Sequence, residues 1–267
     1  MRRTTLVALC LVATTTAGLA GCQSGTDDDR SGGSGTPATA SASKPASKAA
    51  SADPFAGLTG AEIADRAVEA TTGARSLRMT GDVPDDESGG TIRIDMAMDR
   101  QGECAGTMSM DGQGQAELVR TGGTLYMKYD EKFLRAQSEG EPQADTDAAV
   151  AMLAGRWTKM SAGGQDAKDM TGFCDLDTML GEMEGAGQDV TRGESTTVGG
   201  TPALVLHEKD GADRNTLYVA TEGKPYLLRF DSASKQDPGT MTLSAYDEPV
   251  AAKAPSGTVL DLDALGG

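Results

Sequence analysis

The side chains that could carry acid–base or metal chemistry are few and scattered in this sequence. His207 is the single histidine among 267 residues, and it lies in a segment whose alternation predicts a strand. A histidine base needs a nucleophile or an acid beside it, and none is nominated here. The acidic run Asp85-Asp86-Glu87 lacks the glycine and the distal glutamate of a calcium loop. We therefore predict no catalytic residue, no metal and no cofactor, and thus no enzyme.

The residue with the clearest chemical signature is Cys22. Arg2 and Arg3 precede a short apolar run, Leu6–Val12, and small residues then lead to Leu19-Ala20-Gly21-Cys22. A charged start, an apolar centre and a small-residue cleavage site make a secretory signal, and this apolar run is too short to span a bilayer. The last four residues resemble the lipobox of bacterial lipoproteins. That resemblance implies cleavage before Cys22 and a diacylglyceryl group, with palmitate-type chains, on its sulfur. The alternative is an ordinary signal peptide with an incidental cysteine.

The chain divides by composition into three predicted regions. Residues 1–21 are the signal peptide, and residues 22–54 are a lipid-anchored tether of small and polar residues without large apolar side chains. Such a tether buries too little surface to offset its ordering entropy, so we expect disorder and a root-mean-square reach of about 30 Å. Residues 55–267 are long enough for one domain with its own core. We expect this domain at the extracytoplasmic face of the cell membrane, held there by Cys22.

Two cysteines, Cys104 and Cys174, remain in the predicted domain. Cys10 leaves with the signal and Cys22 carries lipid, so these two are the remaining thiols in an oxidising compartment. The sequence has no C-x-x-C pair, which disfavours a redox or zinc site. We predict a disulfide that closes a loop of about 70 residues and contributes roughly 4 kcal/mol on the chain-entropy model.

The charge balance excludes one class of partner. The net charge is −16, and loss of Arg2 and Arg3 with the signal makes it about −18. A polyanion is repelled by nucleic acid and by acidic lipid surfaces. We therefore expect no nucleic-acid binding, and contact with the membrane through the lipid on Cys22.

The elements of the domain follow from two apolar periods. Thr59-Gly60-Ala61-Glu62 has the spacing of a capping box, apolar residues recur on one helical face up to Thr71, and Gly73 is a stop signal. These features predict a helix over 60–72. Alternation with a period of two then predicts half-buried strands, and the short turns between them imply antiparallel pairing. The predicted strands are 91–99, a segment around Met108 and Met110, 116–120, 124–129, 202–208, 215–221, 225–230 and 240–246.

The middle of the chain is predicted to be helical. The expected helices are 131–137, 146–153 and 175–183, the last capped by Asp175, with Trp157–Met160 as a short extended piece between helices. The order of helix, strands, helices and strands predicts an α+β domain, with an antiparallel sheet and its helices segregated to one side.

Several short segments resemble the LppX/LprG-type envelope lipoproteins, which share a fold with the periplasmic carriers LolA and LolB. Besides the lipobox, the tether and the leading helix, they are Gly122–Lys128, Gly155–Lys159, Leu217–Val219 and Tyr226–Phe230. The resemblance covers most of residues 59–246 and includes no catalytic signature. It implies a curved antiparallel sheet, an open half-barrel, with helices packed on the concave side. In some members acyl chains lie between sheet and helices. The acidic charge, the few aromatics and the cysteine pair depart from those carriers.

Methionine is prominent on the predicted strand faces. Strand parity places one set of apolar residues on the concave side: Ile94, Met96, Met98, Met108, Met110, Leu204, Leu206, Leu217 and Val219. The helical block around Met152, Leu153, Met179 and Leu180 is predicted to form a lid. Methionine suits apolar surfaces that must fit varied shapes, so we predict a cavity for a lipid or another apolar molecule. The alternative is a closed core with methionine as filler, in a surface-tethered interaction or sensory module that contacts another envelope protein.

Overall fold

A computed structural model describes residues 53–85, 90–164, 167–181, 189–234 and 238–265. The predicted signal peptide, Cys22, the tether up to residue 52, Asp86-Glu87 and the helix end at Met183 lie outside the described residues. Among the described helices, none is long and apolar enough to cross a membrane.

The described chain forms one sheet with helices before it and inserted within it. The helices are α1 Gly60–Thr72, α2 Glu131–Gln137, α3 Gln143–Leu153, α4 Lys168–Thr171 and α5 Leu176–Gly181, with a 3-10 turn at Gly172–Cys174. The strands of the first half are β1 Ser76–Asp85, β2 Gly90–Asp99, β3 Cys104–Met110, β4 Gly114–Thr121, β5 Thr124–Tyr129 and β6 Trp157–Ser161. Those of the second half are β7 Val190–Val198, β8 Thr201–Asp210, β9 Asp213–Ala220, β10 Leu227–Ser232, β11 Gly239–Ser244 and β12 Val259–Asp261.

The sheet consists of two arms that meet at β1. Its strand order is β12-β6-β5-β4-β3-β2-β1-β11-β10-β9-β8-β7. The first arm runs outward from β1 to β6, and the second runs inward from β7 to β11, which pairs with β1 so that Met79 faces Leu243. Pairing is antiparallel except between β12 and β6. The result is an open, curved antiparallel sheet with helices on its concave side, so the predicted α+β half-barrel is confirmed.

Helix α1 has the boundaries that its capping signals predict. The Thr59 hydroxyl accepts from the Glu62 N–H at 3.2 Å, and the Glu62 carboxylate accepts from the Thr59 N–H at 2.8 Å. Its buried face carries Ile63, and the helix packs across β7 to β10 and against α5. At Gly60 a side chain would collide with the backbone of Val190, so glycine is required for the helix to approach the edge strand this closely.

The predicted set of strands contains no range for β1, β7 or β12. β7 was not predicted because Val190–Val198 is polar on both faces, which is what an exposed edge strand tolerates. β12 is three residues long, too short to show a period. Trp157–Met160 was predicted as a short extended piece between helices, and this is confirmed: it forms β6 between α3 and α4. What the sequence did not indicate is that β6 joins the sheet by pairing with β5, with Tyr126 facing Lys159. Isolated in sequence between helical segments, β6 gains its partner from the preceding hairpin.

Candidate apolar site on the concave face

The concave face is ordered in rows that cross the strands, because antiparallel partners share a face. The first row of the first arm is Leu77, Met98, Cys104, Arg120, Leu125 and Met160, and the second is Met79, Met96, Gly106, Leu118, Met127 and Thr158. The third row is Gly81, Ile94, Met108, Ala116 and Tyr129, and the fourth contains Ile92, Met110 and Gly114. Every predicted wall residue on β2 and β3 therefore lies on one face, as strand parity indicated.

Part of this face is a filled core, here called the closed region. Its members are between 0% and 5% exposed: Leu77, Met79, Met96, Met98, Leu125, Met127, Leu204, Leu206, Leu217 and Val219. They form one hydrophobic cluster with Ile63 of α1 and Leu180 of α5. Six of the predicted wall residues thus belong to a packed core, in which helices α1 and α5 cover the sheet.

A second part of the same face is only half covered, and we call it the apolar patch. It consists of Ile92, Ile94, Met108, Met110, Phe230 and Met241, each half-buried. Met110 faces Ile92 and Met108 faces Ile94 across β2 and β3, and Phe230 faces Met241 across β10 and β11. The patch crosses four strand spacings, about 19 Å. It is a continuous apolar strip over the junction of the two arms.

Gly81 lies at the bottom of the apolar patch, where the two arms of the sheet meet. It lies on β1 between Ile94 and Met241. A Cβ added at Gly81 would lie 2.8 Å from the Met241 Sδ and 2.6 Å from the Thr240 carbonyl oxygen. Because Gly81 has no side chain, the Met241 thioether lies against the strand backbone and the strip stays shallow there. Sequence reasoning missed Phe230 and Gly81 as site residues, since the pairing of β1 with β11 is not encoded in a local period. It also left out Ile92, although Ile92 shares the strand parity of Ile94.

Helix α2 borders the apolar patch at the β3–β4 end. Asp130 caps α2 by accepting from the Phe133 N–H at 2.6 Å, and it also accepts from the Gln115 N–H at 2.9 Å. The rings of Tyr129 and Phe133 stack with centroids 5.5 Å apart. Burial raises the pKa of the Tyr129 phenol, so this ring stays neutral at physiological pH. At this end the border of the patch therefore carries two stacked aromatic rings, next to an Asp130 carboxylate held by backbone N–H groups.

The residues of the predicted lid separate into two groups. Leu180, 2% exposed, and half-buried Met179 lie on α5 over the closed region. Met152, 43% exposed, and half-buried Leu153 lie on α3, which packs against α2. The structure does not bring the two pairs together in one cluster of the described residues. α5 belongs to the core, whereas α3 packs against α2 and contributes none of the described residues of the core cluster.

The disulfide is present between Cys104 and Cys174. Both cysteines are fully buried, and their α-carbons are 5.5 Å apart. Cys104 lies in the first row on β3, and Cys174 ends the 3-10 turn before α5. Asp175 caps α5 as predicted, since its carboxylate accepts from the Thr178 N–H at 3.0 Å. The bond thus fixes α5 over the closed region and leaves the apolar patch unconstrained.

Polar groups flank the apolar patch without entering it. On the second arm, buried Asn215 donates to Glu208 at 2.8 Å and accepts from the Ser232 hydroxyl at 2.9 Å. Two polar cavities of about 290 and 190 Å³ lie beside α5, at the opposite end of the closed region, where Arg100 pairs with Asp177. His207 is exposed on the convex face. Among the described residues, the patch offers contact surface and no acid–base pair.

Comparison with known proteins places the fold. No protein-family model matches the sequence, and no curated protein matches it. Among solved structures, LprF from Mycobacterium bovis has 16% identity and a TM-score of 0.51, covering 73% of this chain and 96% of LprF. Lipoprotein LppX from Mycobacterium tuberculosis has 13% identity and a TM-score of 0.44, covering 72% of this chain and 97% of LppX. The predicted resemblance in fold is confirmed, and the chain has the open curved-sheet fold of LprF.

Proposed function

We propose that this protein is a lipid-anchored envelope lipoprotein that binds an apolar molecule, of the class of a lipid acyl chain, on the apolar patch. The observation that carries the proposal is the contrast within one sheet face. The closed region is buried in one cluster with residues of α1 and α5, and the same face continues into a half-buried apolar strip. Isolated exposed apolar residues are ordinary, but a contiguous strip in a concave surface is typical of a binding site.

The shape and chemistry of the apolar patch favour a long flexible chain. Its length of about 19 Å and its shallow floor at Gly81 suit an extended acyl chain. Two isoleucines, three methionines and Phe230 line it, and methionine adapts to varied shapes. Covering each half-exposed side chain contributes on the order of 1 kcal/mol, which gives several kcal/mol before the cost of association. The function needs no catalytic residue, in line with the lack of an acid–base pair among the described patch residues.

The anchor and the location complete the proposal. The lipobox residues Leu19–Cys22 support cleavage before Cys22 and a diacylglyceryl group on its sulfur. Residues 22–54 would then tether the domain of residues 55–267 to the extracytoplasmic face of the cell membrane. The disulfide between Cys104 and Cys174 agrees with such a compartment, because disulfides persist in oxidising surroundings.

The test is the amount of apolar molecule that co-purifies with the full lipidated chain. Solvent extraction and mass spectrometry should find non-covalent lipid in the parent protein. Met108→Trp, which fills the apolar patch, should lower that amount at least severalfold. Thr107→Trp is the matched control, since Thr107 lies on the same strand and the opposite face, and it should retain the lipid.

The competing function predicts a different result in the same experiment. A tethered interaction module with a closed core would yield no co-purified lipid from the parent protein. In that case Met108→Trp and Thr107→Trp would be indistinguishable in lipid content. This outcome would contradict lipid binding and leave contact with another envelope protein as the function.

A further inference from the structure

The methionines on the concave face differ in the access that solvent has to their sulfur atoms. In the closed region, Met79, Met96, Met98 and Met127 are 4%, 1%, 1% and 3% exposed. In the apolar patch, Met108, Met110 and Met241 are each half-buried. Oxidation of a thioether requires an oxidant to reach the sulfur, so exposure selects which methionines react. A dissolved oxidant therefore distinguishes the two regions of one face.

Half of the side chains that line the apolar patch are these oxidisable methionines. Met108 and Met110 are the β3 members, and the Met241 sulfur lies over Gly81 at the centre of the strip. The domain cysteines Cys104 and Cys174 are already joined in a disulfide and offer no thiol that would react first. Other accessible methionines, Met152, Met160 and Met179, lie outside the patch and serve as internal references.

We propose that Met108, Met110 and Met241 form a peroxide-sensitive switch that releases the apolar ligand; this rests on the proposed function. In the reaction, a methionine sulfur attacks one oxygen of a hydroperoxide. The S–O bond forms as the O–O bond breaks, the sulfur loses two electrons, and the peroxide is reduced to water or an alcohol after proton transfer to the leaving oxygen. A sulfoxide reductase with two thiols returns the thioether, forming a disulfide and water.

Oxidation of the apolar patch acts on binding because of where the sulfoxides lie. A sulfoxide is polar, and in the half-exposed patch water can hydrogen-bond to it while the site is empty. An apolar ligand would displace that water and leave the sulfoxide without a partner, which is unfavourable. The methionines inside the closed region, Met79, Met96, Met98 and Met127, are buried, so an oxidant reaches them last. The same chemistry in the closed region would disrupt the core.

The experiment uses the full lipidated chain in phosphatidylcholine vesicles that contain a photoactivatable palmitoyl probe. The protein is treated with increasing concentrations of hydrogen peroxide. Peptide mass spectrometry, the cross-linking yield and the circular dichroism spectrum are measured after each treatment. Sulfoxide should form at Met108, Met110 and Met241 before it forms at Met96 and Met98. The cross-linking yield should fall about tenfold or more while the circular dichroism spectrum is unchanged, and sulfoxide reductases of both stereospecificities should restore it.

Matched variants separate the switch from the binding function. Met108→Leu/Met110→Leu/Met241→Leu conserves volume, and its cross-linking yield after peroxide should equal its own yield before treatment. Met152→Leu/Met179→Leu should stay peroxide-sensitive. Absent cross-linking in the untreated parent would contradict the proposed function itself. Cross-linking that survives peroxide, or that falls equally in the triple variant, would overturn the switch. Single Met108→Leu and Met241→Leu variants give the same comparison if the triple variant does not fold.

Discussion

The closed region and the apolar patch have the same residue types, the same strand parity and the same sheet, yet only one is a core. Met96 and Met98 are buried in one cluster with Ile63 of α1 and Leu180 of α5, whereas Met108 and Met110, on the next strand, are half-buried. The difference lies in where the helices end and not in the strands. Apolar alternation identifies a face, and helix placement decides which part of that face is filled.

The largest expected effect comes from breaking the disulfide that joins the 3-10 turn before α5 to β3. Cys104→Ser/Cys174→Ser removes the bond that fixes α5, and we expect the free energy of unfolding to fall by about 2–5 kcal/mol. Urea denaturation of the full chain measures this decrease in the free energy of unfolding. Co-purified lipid per folded molecule should change little, because the apolar patch lies elsewhere. Loss of lipid with unchanged stability would contradict the division into two regions.

Truncating one methionine in each region gives the next largest contrast. Met96→Ala should lower the free energy of unfolding by about 2–5 kcal/mol, because it leaves a cavity in the buried cluster. Met110→Ala should cost less than about 1 kcal/mol, since its side chain is only half-buried and truncation leaves no enclosed cavity. Thermal and urea unfolding of the two variants measure this difference in the free energy of unfolding. Equal losses would show that the two regions pack alike.

Enlarging the same residue type sharpens the comparison further. Met98→Trp should overpack the closed region and cost about 1–3 kcal/mol. Met108→Trp adds its ring to a half-open strip and should leave the melting temperature nearly unchanged while reducing bound lipid. A large destabilisation by Met108→Trp, with no lipid ever detected, would indicate a closed core throughout.

The smallest expected effect is a pH dependence confined to one end of the closed region. Hydrogen bonds from the Arg75 N–H, Lys224 and Tyr226 hold the pKa of Asp247 well below its usual range. A depressed pKa contributes stability above the unfolded-state value near 4, and this is lost as pH falls towards the folded-state value. Asp247→Asn should therefore be less stable than the parent at pH 7, with the gap narrowing below about pH 4. Urea midpoints at pH 7 and pH 3 measure it, and a gap independent of pH would contradict this role.

Sequence reasoning succeeded where local chemistry decides the structure. The capping box at Thr59 and the stop at Gly73 gave the bounds of α1, and parity placed Met96 and Met108 on one face. The cysteine count predicted the disulfide. Each of these depends on neighbours in sequence or on a count, so no tertiary information was needed.

It failed where a residue's state depends on a distant element. The sequence does not indicate which part of the sheet face the helices cover. The predicted cavity therefore included residues that belong to the buried core. Phe230 enters the site only because β11 pairs with β1. The edge strand β7 has a partner strand on one side only in the described sheet. Such a strand tolerates polar residues on both faces, so it shows no apolar period. Coverage and long-range pairing are set by the whole fold.

The junction of β1 with β11 has a consequence for the order of folding. It joins Met79 to Leu243, whereas each arm is built from hairpins between neighbouring strands. Local hairpins form readily, and pairing between distant segments costs more loop entropy and is slower. The apolar patch has Ile94 and Met108 on one arm and Phe230 and Met241 on the other. A nascent or partly folded chain therefore has the two halves of the apolar patch apart, and under the proposed function an apolar molecule would bind only after the arms have joined.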